Sequence, residues 1–248
     1  MSLSHDLAET VSGALGQPPR RVMALTLADG RRFWLKRVEH LRLRLRLQKG
    51  DPARAFEAER AGLHLLAARG LPVAEIVLEG PDHIVLADAG PTLAQLAAEP
   101  GRDDAATAFA AAGRALARLH RAGLAHGRPA VRDICWDGHT ARFIDLERFS
   151  PRRRGGFWQG VDLLCLVQSA HARWPDDPRW LNATLAAYAA EAPPGALAAA
   201  ARLSRRLAPL GTLARLLRPL RPESRELNAV SPTLARLAAL DRPPSLSV

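Results

Sequence analysis

A strand lysine and a set of carboxylates are the first residues in this sequence that could do chemistry. Lys36 lies in FWLKRV, and it and Lys49 are the only lysines in a chain whose usual cation is arginine. Glu59 follows in FEAERAGLHLL, with Glu57 as the alternative acid of that segment. Asp133 and Asp145 flank WDGH, and each adjoins an apolar run, Ile134-Cys135-Trp136 for the first and Phe143-Ile144 for the second. An ammonium holds the phosphates of a nucleotide, an acid holds that ammonium in place, and carboxylate oxygens bind Mg2+. A further carboxylate usually accepts the proton of an attacking hydroxyl. Taken singly, each residue also has a plain alternative: a surface lysine on a two-sided strand, a solvated helix acid, a pair of loop acids.

The elements that must position these residues can be read from spacing. VMALTLADGRRFWLKRV, residues 22–38, places two apolar-rich runs around Asp29-Gly30 and predicts a hairpin carrying Lys36 on its second strand. LRLRLRL at 41–47 alternates as an extended segment does. Asp51-Pro52 caps a helix whose apolar face includes Phe56, Leu63 and Leu66, and Gly70 ends it. LPVAEIVLEG and HIVLADAG predict two short strands around Gly80-Pro81-Asp82. Helical patterns follow from Thr92 to Ala98 and from about Asp103 to Ala122. ICW and ARFIDL predict a second short hairpin, so Asp133 and Asp145 are expected at one end of it. Beyond about residue 158 the pattern is helical, with breaks at WPDDP, APP and RPLRP.

This order of motifs resembles the protein-kinase-like superfamily, and within it the bacterial lipopolysaccharide-core (Kdo/heptose) kinases and small RIO-like kinases, over about residues 20–175. Lys36 resembles the strand lysine of V-A-I-K. Glu59, in a pattern E-x3-L-x2-L-x3-G-x-P, resembles the helix glutamate that pairs with it. His126-Gly127 opens HGRPAVRD, similar to the H-G-D-x-x-x-x-N loop of bacterial small-molecule kinases, with His126 in a structural place and Asp133 where the asparagine metal ligand belongs. Asp145 in FIDLERF resembles the D-F-G aspartate in its D-[FL]-E form. Asp162 in GVDLLCLV resembles the aspartate that anchors the catalytic-loop backbone; its alternative is a helix N-cap.

The resemblance implies an α+β, bilobal protein-kinase-like fold. Residues 1–88 form an N-lobe with a small antiparallel sheet and one helix, and 89–248 a mostly helical C-lobe with a catalytic-loop-like segment at 126–149. It implies ATP and Mg2+ as cofactors, Asp133 and Asp145 as metal ligands, and Lys36, Glu59, Leu86 and Asp88 as nucleotide-binding residues. Two family parts are missing. No G-x-G-x-x-G loop precedes the hairpin, and Arg128 stands where the catalytic aspartate belongs. Arginine neither accepts a proton near neutral pH nor binds Mg2+, although it grips phosphate.

Three functions fit these residues. One is a kinase acting on a lipopolysaccharide-core sugar or another small molecule. Another is a pseudokinase that binds nucleotide without turnover, and the third is a basic anion-binding module. The net charge of +10 favours anionic partners, although richness in Arg, Ala and Leu also follows from genome composition. Aromatic residues are 5% of the chain and are not interleaved with basic ones, so nucleic acid is not an expected partner. No stretch has the length of a membrane-spanning helix and the N-terminus lacks a signal pattern, so a cytoplasmic location is expected. AARLSRRLAPLGTLARLLRPLRP, after about residue 196, reads as a C-lobe helix with a solvated arginine face. Its alternative is peripheral contact with an anionic inner-membrane surface. The arginines of 42–46 and 152–154 line a substrate entrance or are solvated charge. Cys135 and Cys165 are too few for a disulfide framework or a zinc cage.

Overall fold

The computed structural model describes residues 3–38, 51–99, 101 and 104–241. The alternating segment 41–47, with its arginines, lies outside the described residues. The chain forms two compact units: Met1–Ala89 with Asp145–Arg148, and Gly90–Ile144 with Phe149–Val248.

The first unit is a four-stranded antiparallel sheet with one helix before its first strand and another between its second and third. Its elements are α1 (Leu3–Leu15), β1 (Val22–Thr26), β2 (Arg32–Arg37), α2 (Pro52–Ala68), β3 (Ile76–Gly80) and β4 (His83–Ala87), with strand order β1-β2-β4-β3. The β1–β2 hairpin pairs Val22 with Lys36 and Leu25 with Phe33, turning at Asp29-Gly30 with Gly30 at φ 86°. Lys36 is paired on its other side with Ile84, so it sits on an interior strand whose backbone is fixed from both edges. The reading of the sequence gives this unit one helix; the structure adds α1. Its Leu7, Val11 and Ala14 recur at helical spacing and close over Leu25, Phe33, Leu35 and Val85. In α2 the Asp51 side chain accepts the Ala53 N–H, Pro52 opens the helix, and Phe56, Glu59, Gly62, Leu63 and Leu66 form the buried face.

The second unit is mostly helical. Its elements are α3 (Leu93–Leu96), α4 (Ala105–Arg121), the hairpin β5 (Ile134–Trp136) and β6 (Ala141–Phe143), α5 (Gly156–Arg173), α6 (Arg179–Glu191), α7 (Ala196–Arg206), α8 (Ala208–Leu217), a 3-10 turn at Arg218–Leu220, and α9 (Arg225–Ala238). Thr92 and Gln95 make a reciprocal capping box at the start of α3. Helix α4 packs against α6. The approach is close because Gly113 has no Cβ, and one placed there would collide with the Thr184 carbonyl of α6. The Asp137 carboxylate accepts the N–H groups of His139 and Thr140 and tightens the β5–β6 turn. Burial opposes ionisation of Asp137, yet those two N–H groups and the Arg142 guanidinium win and hold its pKa below the usual carboxylate range. Trp174 and Trp180 both pack on Phe109, and Trp136 is buried, so these serve as packing anchors.

Candidate functional site

In the first unit the sheet and α2 bring the lysine to its acid. Lys36 Nζ donates to Glu59 Oε1 in an ion pair, with the Lys36 side chain 15% and the Glu59 side chain 4% exposed. Glu57 is solvent-facing and lies near Arg60 instead. The distinction follows from helix geometry: Glu59 shares the buried face with Phe56, Leu63 and Leu66, whereas Glu57 is turned toward water.

Asp145 belongs to this same unit, within the tetrapeptide Asp145–Arg148. Its φ is 60°, and it is the one non-glycine residue with positive φ among the described residues. That conformation costs a residue with a Cβ about 1 kcal/mol or more, and Asp bears it better than most. Ligand oxygens of Glu59, Asp145 and Glu147 lie within 4.8 Å of one another. Three carboxylates are hard oxygen donors of the kind Mg2+ takes, usually with waters completing the octahedron. Lys36 and Arg21 supply two cations, Lys36 through Glu59 and Arg21 through an ion pair with Glu147. The residues present therefore fit a divalent cation.

Glu147 and Arg21 were not among the residues singled out from the sequence. The signal for Glu147 was available, because it is the glutamate of the D-L-E triplet that includes Asp145. Nothing in the sequence pointed to Arg21. Leu86 and Asp88, also in this unit, lie on and just after β4. Leu86 is buried and in register with Trp34. Asp88 accepts the Trp34 indole N–H at 3.0 Å and lies 3.7 Å from the Arg32 guanidinium.

Residues 145–148 of the expected loop-like segment belong to the first unit, whereas its start, at His126-Gly127, lies in the second unit and is held by Asp162. This carboxylate is fully buried. It accepts the His126 N–H at 2.6 Å, the Gly127 N–H at 2.8 Å and the His120 Nε2–H at 3.2 Å. It lies well inside α5, whose N-cap is Gly155, so the N-cap alternative does not hold. Because Nε2 of His120 donates to a carboxylate, Nδ1 is left to accept from the Tyr188 hydroxyl 2.7 Å away. Burial and the nearby Asp162 charge push the Tyr188 pKa up, which keeps that hydroxyl proton in place. His126 is buried, donates Nε2–H to the Ile144 carbonyl at 3.3 Å and stands edge-on to Phe143. These contacts tie its ring to the Ile144 backbone and to Phe143.

Asp133 is buried in this unit, one residue before β5. Its backbone N–H bonds Ala130 and its carbonyl accepts from Ile144, while Arg132 Nε lies 3.5 Å from its carboxylate. Arg128 is half-buried, directly after the two amides that Asp162 holds. Two backbone amides are thus fixed directly before a residue that cannot serve as a base.

An uncharacterized protein of Haemophilus influenzae (strain ATCC 51907 / DSM 11121 / KW20 / Rd) is 34% identical over 143 residues, which is 57% of this chain and 59% of that protein. The chain thus matches less than two thirds of its relative's length. Among solved structures, WbdD with the kinase inhibitor LY294002 is similar at a TM-score of 0.45 and 13% identity, over 70% of this chain and 44% of that one. An aminoglycoside phosphotransferase from Alicyclobacillus acidocaldarius subsp. acidocaldarius DSM 446 is similar at a TM-score of 0.44 and 15% identity, over 90% of each chain. The lipopolysaccharide kinase (Kdo/WaaP) family matches residues 21–188, which include Lys36, Glu59, His126, Asp133, Asp145 and Asp162. The chain is a member of the lipopolysaccharide kinase (Kdo/WaaP) family, with the α+β, protein-kinase-like plan that membership carries.

Proposed function

We propose that this protein is a phosphotransferase that uses MgATP to phosphorylate a sugar hydroxyl of the lipopolysaccharide-core class. The observation that carries this reading is the buried Lys36–Glu59 ion pair in the same unit as the Asp145–Glu147 carboxylates. A nucleotide–Mg2+ complex, when bound, supplies the phosphoryl group and neutralises its charge. Lys36 grips phosphate oxygens, and Glu59 holds its ammonium in place. Asp145 and Glu147 offer metal ligands, and Asp133 is a further one on the strength of its motif position. Leu86 and Asp88 take the nucleotide-binding roles that follow from their places on and just after β4. Asp162 and His126 position the loop backbone. Arg128 binds an anionic group of donor or acceptor rather than removing a proton.

Arg128 favours a second reading, a pseudokinase that binds nucleotide without turnover. Phosphoryl transfer depends mostly on positioning and charge, so loss of the base lowers the rate without abolishing it. The first reading therefore stands ahead.

Thermal unfolding with ATP, with and without Mg2+, tests binding, because a ligand of the folded state raises Tm by mass action. An Mg2+-dependent rise that disappears in Asp145→Ala is the expected result. Phosphate transfer to a core-sugar acceptor, or ATP hydrolysis, that exceeds the Asp145→Ala level separates the enzyme from the pseudokinase. No nucleotide-dependent shift in the natural protein would remove both readings.

A further inference from the structure

Helix α8 and the 3-10 turn after it carry an apolar stripe that no described residue covers. Leu210, Leu213, Leu216, Leu217 and Leu220 are 52%, 49%, 70%, 38% and 77% exposed. Single exposed leucines are ordinary on protein surfaces, but five that adjoin along one element form a contiguous patch. At 100° per residue the four leucines of α8 spread over roughly a third of the circumference. The helix is seated on α9 by its other side, through buried Gly211 and Ala214. A Cβ on Gly211 would stand 3.3 Å from Leu234 Cδ1, so the contact is tight and the leucines are left pointing away from the unit.

Within its own stretch of chain this stripe is accompanied by charge of one sign, and exposed Glu223 follows it. Between Glu191 and Glu223 the chain has six arginines, at 202, 205, 206, 215, 218 and 221, and no acid. Arg205 pairs with Asp241, whereas Arg206, Arg215, Arg218 and Arg221 are exposed on and beside the leucine-bearing segment. An apolar stripe with an arginine flank and no acid within the helix or the turn is the composition of a helix that lies in the plane of a bilayer surface.

We propose that α8 and the Arg218–Leu220 turn are a docking surface for an anionic membrane. The leucines enter the boundary between headgroups and acyl chains, and the arginines bind phosphate headgroups. A second copy of the chain is the competing occupant. Its arginine flank would face the same flank across a two-fold axis, and like charges in apposition oppose that pairing. The docking surface stands apart from the nucleotide reading, since none of its residues is one of the proposed site residues.

Vesicle co-sedimentation of the full chain decides the matter. Vesicles of phosphatidylcholine with ~30 mol% phosphatidylglycerol are compared with phosphatidylcholine alone, because the arginine contribution requires anionic lipid. The expected result is sedimentation with the phosphatidylglycerol vesicles, weakened by salt and weak on phosphatidylcholine. Leu216→Glu with Leu220→Glu should lower that binding about tenfold or more. Both leucines are largely exposed, so Tm and the nucleotide-induced shift should stay as in the natural protein. As a second variant, Arg215→Ala with Arg218→Ala and Arg221→Ala should lose most of the preference for anionic lipid. Failure of the natural protein to sediment, or equal sedimentation of the leucine variant, overturns the proposal. So does a dimer of the natural protein in light scattering that the leucine variant converts to monomer, since that assigns the stripe to a second copy.

Discussion

Glu59 in the first unit and Asp162 in the second are both buried carboxylates, at 3% and 0% exposure, and both are satisfied by N–H donors. Their partners differ in kind. Glu59 meets the end of one side chain, the Lys36 ammonium. Asp162 meets two backbone amides of a loop and a histidine that is itself fixed by Tyr188. An acid bonded to a flexible cation sets the direction of a charge that a ligand can then share. An acid bonded to backbone sets the shape of a loop, and Asp162, fully buried, is closed to a ligand. The comparison separates the scaffold from the chemistry. Asp162 fixes the loop backbone immediately before Arg128, a residue that cannot accept a proton near neutral pH.

The largest effect is expected from Asp162→Ala. Removing the acceptor leaves buried N–H groups unpaired and should cost about 3 to 5 kcal/mol. For a chain of this size that is a fall in Tm of about 10 °C, readable by thermal denaturation. A fall of only a degree or two would mean that the loop is held by something else, and the contrast with Glu59 would collapse.

Next in size is Arg128→Asp, which restores the missing carboxylate. If the loop is a base-deficient version of a working one, transfer or hydrolysis should rise about 100-fold, the low end of what a positioned base contributes. An unchanged rate with nucleotide binding intact would favour the pseudokinase reading.

The smallest effect on stability should come from Glu59→Gln. Lys36 keeps some access to water, so loss of the pair should cost only about 1 to 2 kcal/mol. Nucleotide affinity should nonetheless fall about tenfold, because the ammonium loses the partner that directs it. The ratio of the two losses, measured by Tm and by nucleotide titration, sharpens the distinction between a functional and a structural acid. Equal ratios for Glu59→Gln and Asp162→Ala would erase it.

Much of this was legible because local rules agree with the final structure. Asp29-Gly30 between two apolar runs gives the hairpin that carries Lys36, and Asp51-Pro52 with Gly70 brackets α2. The preference for Glu59 over Glu57 comes from the pattern E-x3-L-x2-L-x3-G-x-P, and the structure places Glu59 on the buried face of α2. The sequence reading does not include helix α1, whose three core residues make a narrow stripe in a short amphipathic segment. Arg21 and Glu147 could not be paired from sequence, as 126 positions separate them and neither carries a spacing rule toward the other. The exposed leucines of α8 were also hidden. Periodicity shows that a helix has an apolar side, and only the packing of Gly211 and Ala214 against α9 tells which side is left outside.

Residues 145–148 complete the first unit although more than fifty residues of the second precede them in the chain. The ribosome therefore cannot deliver the first unit whole before it has made most of the loop-bearing segment. Until then Arg21 has no Glu147 to pair with, and Glu59 has no neighbouring aspartate. A polypeptide cut after residue 89 would retain the sheet sequence and lack the Asp145 and Glu147 carboxylates that lie beside Glu59. Vectorial synthesis, in this protein, defers assembly of the charged centre until both units are under way.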